Sequence, residues 1–233
     1  MKNYLIEANK RAQDRKEYML YNVPLYIIHS FPKVIDVNTI IDLVKKKLPA
    51  DTFNGLDAIY VGEFKDLKDR EIQAMFKDSA IWLSSDNIKS FMTEEVIADN
   101  IVHEVAHLLE DLYPHFIYFD NKVEQEYNSK KHKLMTILKE EGYSVFIKLF
   151  FNEEYLKEFD NLLYKHIGYD KLALFSLGLF ISPYSITTIR EYFASGFQMF
   201  FSEEVDYLRE ISPVLYHKIK KLMDETKDEN NSY

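Results

Sequence analysis

The sequence predicts an α+β protein. A small α/β layer of three or four strands fills residues 1–92, a mainly helical lobe fills 93–223, and 224–233 form a polar tail, all in a single domain. Three observations carry this expectation. Short β-rich runs bounded by turn residues occur only before residue 92, whereas after Thr93 apolar residues recur at helical spacing. Six Gly and six Pro in 233 residues leave few breaks, so connections are short and elements long.

In chain order, the charge-rich run Lys2 to Leu20 reads as a surface helix, and Leu25-Tyr26-Ile27-Ile28 as a strand between Pro24 and Pro32. A helix follows over Asp36 to Leu48. Asp36 or Asn38 can cap it, Val37, Ile40, Ile41 and Val44 line one face, and Lys45 to Lys47 suit its C-terminal dipole. Leu56 to Phe64 alternates as a second strand, Asp69 to Phe76 reads as a helical turn or short helix, and Ala80 to Leu83 as a third strand ahead of a polar turn at 84–87. From Thr93 to Tyr113 the pattern is helical, and Pro114 stops it. Helices are expected over 121–141 (closed by Gly142), 144–151, 153–167 (closed by Gly168), 170–180, 185–201, and from Ser212-Pro213 onward.

Composition removes several classes of function. Hydrophobic content of 47% and charged content of 29% describe a chain with ample material for a core. A net charge of −9, with no basic block beyond Lys45-Lys46-Lys47, argues against nucleic acid and favours a neutral or basic partner. Without cysteine there is no disulfide framework, thiol catalysis or thiolate metal site. The longest apolar run, Leu172 to Ile181, is too short to span a bilayer, and the N-terminus has no apolar signal region. A cytoplasmic location is the default expectation, although a secreted mature form or an effector protein would read the same way.

The chemistry concentrates in His103-Glu104-Val105-Ala106-His107. On a helix, positions i and i+4 share a face, so both imidazoles can reach one zinc ion. Glu104, about 100° further round, can reach a water at that ion without ligating it. That is the zincin arrangement: two nitrogen ligands, an open position and a general base. The competing reading is a surface helix with two solvated His. Against it, Ile97, Ile101, Val105, Leu108 and Leu112 form an apolar stripe, and Ala98, Val102, Ala106 and Leu109 extend it nearly all round. Such a helix is buried, and buried imidazoles need partners.

A third ligand must come from elsewhere. The metzincin extension requires Gly at 110 and His at 113, where this chain has Glu110 and Tyr113. Glu124, Glu126, Glu153, Glu154 and Glu158 lie in charged stretches and read as solvated. Glu191 sits among Ile and Phe, with the small residues Ala194 and Ser195 allowing a close helix approach. It is the candidate, and a surface pair with Arg190 is the alternative. His29, His115, His132, His166 and His217 show no ligand spacing.

HEVAH, followed downstream by Tyr184, then Glu191-Tyr192-Phe193-Ala194 and Phe197, resembles the catalytic domain of the lethal factor-like and Pro-Pro endopeptidase-like zinc metallopeptidases. The similarity covers roughly residues 56–222. The resemblance implies a gluzincin-type zinc endopeptidase with its active site between two lobes. It implies one Zn2+ per chain on His103, His107 and Glu191, Glu104 as general base, and Tyr184 as hydrogen-bond donor to the oxyanion. Where the family often has a second Glu, this chain has Ser195, which can still hydrogen-bond a motif His but less strongly than a carboxylate, and Glu110 and Asp111 are further candidates to orient it. Ile81-Trp82-Leu83 stands where zincins place the sheet edge that pairs with an extended peptide substrate, with Trp82 either a pocket wall or a core or surface strand residue. The expected partner is a peptide or protein substrate. The alternative is a degenerate zincin-fold module that binds peptide or protein without cleaving it.

Overall fold

The structure is a computed structural model that describes residues 16–32, 34–85, 92–152 and 154–230. It is an α+β architecture, with a five-stranded mixed sheet among the described N-terminal residues and helices after it. The chain falls into two compact units, Met1–Leu109 and Glu110–Tyr233. The helix Glu94–Leu112 is continuous through that boundary.

In the first unit the strands are β1 (Lys16–Leu20), β2 (Val23–Ile27), β3 (Ala58–Gly62), β4 (Ala74–Lys77) and β5 (Ala80–Ser84), in sheet order β1-β2-β3-β5-β4. The inner pairings β2–β3 and β3–β5 are parallel, and both outer strands pair antiparallel. Leu25, Ile27, Ile59, Val61, Ile81 and Leu83 bury one face. The opposite face carries a row of stacked rings, Tyr26, Tyr60 and Trp82, on neighbouring strands in register. Cross-strand aromatic pairs of this kind stabilise a sheet.

Two expectations fail here. Lys16–Leu20, expected to end a surface helix, is an edge strand, while residues 2–15 of that helix lie outside the described residues. Residues 69–76, expected to be helical, divide between helix α2 (Lys65–Arg70) and β4. The β4–β5 turn is Asp78-Ser79, both at positive φ (53° and 55°), the geometry of a tight two-residue hairpin without the usual Gly. Helix α1 (Val37–Lys47) forms as expected. The Asp36 carboxylate accepts the Asn38 amide at 3.0 Å, and Ile40, Ile41 and Val44 are buried.

Helix α3 (Glu94–Leu112) carries the motif. Its stripe is buried as expected from Ile97 to Leu109, while Leu112 at the end is exposed. Lys47 of α1 pairs with Asp99, and the Glu94 carboxylate accepts the Asp36 amide at 3.0 Å, fixing α3 against α1.

The second unit is helical: α4 (Pro114–Tyr118), α5 (Lys122–Glu140), α6 (Ile147–Phe150), α7 (Lys157–Asn161), α8 (Tyr169–Phe175), α9 (Ile189–Phe200), α10 (Val205–Ile211) and α11 (Pro213–Asn230). The helix expected over 153–167 is the short α7 followed by a π-helical turn, Leu162–Ile167, closed by Gly168 at φ +89°. Helix α11 continues through Asn230, into the segment expected to be only a polar tail.

A polar knot joins α5, α9 and α11. Glu126 accepts the Tyr192 hydroxyl at 2.8 Å and the Val214 and Leu215 amides at 2.9 and 3.1 Å. It therefore caps α11 from another helix, using a charge where the helix dipole favours one. Glu126 is thus not the solvated residue its charged neighbourhood suggests. Lys130, one turn on, donates to the Leu179 and Ile211 carbonyls and to the Ser212 hydroxyl at 2.6, 2.5 and 2.9 Å. Gly196 lets α9 approach α11: a Cβ there would meet Leu215 Cγ at 3.0 Å and its Cδ2 closer still.

Candidate metal centre

On α3 the imidazoles of His103 and His107 lie edge to face with ring centroids 5.2 Å apart, as i and i+4 positions on one helix face require. Glu191 stands in the first turn of α9, where Thr188 caps the helix and its hydroxyl accepts the Glu191 amide at 3.1 Å. Thr188-Ile189-Arg190-Glu191 has the form of a capping box, and a carboxylate here also sits in the favourable field of the helix N-terminus.

His103, His107 and Glu191 form a group that could hold a metal ion. Each offers one ligand atom, and these atoms all lie within 4.8 Å of one another. Two imidazole nitrogens and one carboxylate oxygen match the donor set of catalytic zinc, which keeps a fourth position open. Ligands about 2.0–2.2 Å from a tetrahedral ion lie roughly 3.5 Å apart, so small side-chain rotations would close the shell. The residues present fit the ion. No other such group occurs among the described residues, and none of the remaining histidines belongs to one.

Glu104, between the two His, is buried, and its Oε2 accepts the Phe76 backbone amide at 2.6 Å. Phe76 belongs to β4. Its amide is bonded to Glu104 and not to β5, so it faces the open side of the sheet. This bond sets the orientation of the carboxylate. It was hidden in the sequence, because Phe76 did not read as a strand residue.

The remaining candidates divide. Tyr184 opens a 3₁₀ turn (Tyr184–Ile186) directly ahead of α9 and is exposed. Ser195 is buried within α9. Glu110 and Asp111 both accept from Arg190: Nε donates to Glu110 Oε2 and Nη2 to Asp111 Oδ1, both at 2.9 Å. The alternative pairing of Arg190 with its neighbour Glu191 is therefore not the one formed. The second oxygen of Glu110 accepts the Tyr118 hydroxyl, and burial together with the charge of Glu110 pushes the Tyr118 phenol far above its usual range.

Ile81, Trp82 and Leu83 cannot be an edge for substrate. They belong to β5, which is hydrogen-bonded to β3 on one side and β4 on the other. Among the described residues the outermost strand on this side is β4, and Trp82 lies in the ring stack on the sheet face, donating to the Lys77 carbonyl at 3.3 Å.

One residue near Glu191 is not marked by the sequence. Tyr164, on the π-helical turn, has a buried hydroxyl without a hydrogen-bond partner. Burial, then the charges of Asp160 and Glu191 among its neighbours, raise its phenol. Only the unusual π turn marks the site, and periodicity does not reveal such a turn.

No described helix is long and apolar enough to cross a membrane. Compared with protein-family models, curated proteins and solved structures, the chain matches none.

Proposed function

We propose that this chain is a zinc-dependent endopeptidase of gluzincin type, a zincin resembling the lethal factor-like and Pro-Pro endopeptidase-like peptidases. The observation that supports it most is the convergence of His103, His107 and Glu191 with Glu104 set between the two histidines. Zinc held by those three side chains would supply Lewis acidity, lowering the pKa of water and polarising a peptide carbonyl.

The chain's own residues do the rest. Glu104, oriented by the Phe76 amide, takes the proton of the attacking water and returns it to the leaving amine. Tyr184, exposed just ahead of the ligand helix, donates its phenolic hydrogen to the developing oxyanion. An extended peptide adds to the open edge of β4, beside Glu104, where backbone pairing supplies affinity and side-chain pockets supply selectivity.

The test is metal analysis joined to a diverse peptide library. One zinc per chain with cleavage is the expected result, and Glu104→Gln keeps the zinc and loses turnover. Hydrolysis retained in that variant refutes the assigned base. Zinc without cleavage by the wild type points instead to a peptide-binding module on the same scaffold.

A further inference from the structure

Arg190 neighbours the candidate ligand Glu191, yet it reaches away from it. Successive residues on a helix diverge by about 100°, so the two side chains leave α9 in different directions. The guanidinium spreads over two carboxylates, Glu110 through Nε and Asp111 through Nη2, both at 2.9 Å. Those acids stand three and four positions after His107 on the same helix, less than one and a half turns beyond the second imidazole. The side chain that precedes one candidate ligand thus grips the turn that follows another.

An exposed ion pair alone would mean little, and the Arg190–Asp111 half is of that sort. The other half differs. The Glu110 side chain is only 4% exposed, and both its oxygens are engaged, one by Arg190 and one by the Tyr118 hydroxyl of α4. A buried carboxylate with both oxygens fixed is a rigid anchor, and the planar fork of Arg passes that rigidity to the first turn of α9. Thr188 fixes the same turn from within by accepting the Glu191 amide.

We propose that Arg190 is a positioning residue for the metal group, clamping the first turn of α9 to Glu110 and Asp111 so that the Glu191 carboxylate is held ready for the ion. This rests on the reading of His103, His107 and Glu191 as a metal centre. It deepens that reading by assigning the supporting role to an Arg–carboxylate clamp outside the ligand shell. Ser195 is not needed for it. Residues that support ligands are worth about 10–100-fold in metal affinity, and a clamp that prearranges a ligand acts on the same scale.

The test is cobalt binding by the full-length chain, read as the visible d–d spectrum, with zinc affinity from competition against a chromophoric chelator. Arg190→Gln is expected to weaken both metals by about 10–100-fold and to alter the cobalt band. Arg190→Lys keeps the charge but cannot span both carboxylates, and falls between it and wild type. Arg209→Gln, which breaks an exposed pair with Asp206 in the same unit, leaves affinity and spectrum unchanged. If Arg190→Gln does not fold, the double variant Arg190→Met with Glu110→Met replaces the half-buried pair by apolar side chains of similar volume, so that no charge is left buried and unpaired. That variant is expected to fold and to bind weakly. Wild-type affinity and spectrum in either Gln or double-Met variant overturn the clamp while leaving the metal centre standing. A wild-type chain that binds neither metal overturns the metal centre, and the clamp with it.

Discussion

Replacing Gly196 by Ala tests how tightly the ligand-bearing helix α9 is packed in its own unit. The added Cβ would lie 3.0 Å from Leu215 Cγ, with Leu215 Cδ2 nearer still and Ile181 Cδ1 at an ordinary 3.5 Å. Two effects oppose each other. Ala favours the helix over Gly by about 1 kcal/mol, while overpacking a filled core costs about 1–3 kcal/mol. Leu215 would have to swing aside within the core, where it is fully buried. Overpacking wins, with a net loss of about 1 kcal/mol. Denaturant unfolding should show a lower midpoint at unchanged m-value. Trimming Leu215 supplies the second half of the cycle. Leu215→Ala alone costs about 2–5 kcal/mol, and the double variant should cost less than the sum of the two singles by about 1 kcal/mol or more. A Gly196→Ala protein more stable than wild type would refute the close approach of α9 to α11.

Two further outcomes follow from other parts of the chain. Burial holds the Lys130 ammonium down to a pKa of about 8, below its ordinary value of 10.5. The unfolded chain therefore binds this proton more tightly, so the cost of burying the charge is complete below pH 8 and lifts as pH rises from about 8 toward 10.5. Relative to Lys130→Met, the wild type should gain up to about 3 kcal/mol of unfolding free energy across that window, and a constant difference would contradict it. Tyr184→Phe should lower kcat by about 10²–10³-fold at unchanged zinc content, and lost zinc would mark Tyr184 as structural instead.

Much of the architecture was legible because it rests on local signals. Helix α3 follows from an apolar pattern that its burial from Ile97 to Leu109 reproduces, and α1 follows from Asp36 as a cap. What escaped depends on partners distant in sequence. Lys16–Leu20 is a strand because it pairs with β2, while its own charges look like a helix surface. Ala74–Lys77 is a strand because Asp78 and Ser79 adopt positive φ, a task usually signalled by Gly or Asn. Missing β4 placed the sheet edge one strand too far in, at Ile81-Trp82-Leu83.

The candidate site shows the same division. His103, Glu104 and His107 lie within five consecutive positions of one helix, and the sequence marks them directly. Glu191 was separable from the other Glu only by its apolar neighbours. Glu126 was misread because the amides it caps belong to α11, far along the chain. For Arg190 the sequence offers only its neighbour Glu191 as a partner, since nothing local points to Glu110 and Asp111.

The central claim is that His103, His107 and Glu191 together hold one metal ion. Zinc titration of the wild type against Glu191→Gln, followed by competition with a chromophoric chelator, tests it most directly. One zinc per wild-type chain, with affinity falling by at least the 10–100-fold expected for support residues when the carboxylate is lost, is the predicted result. Zinc bound equally well by Glu191→Gln, or not bound by the wild type at all, would contradict it.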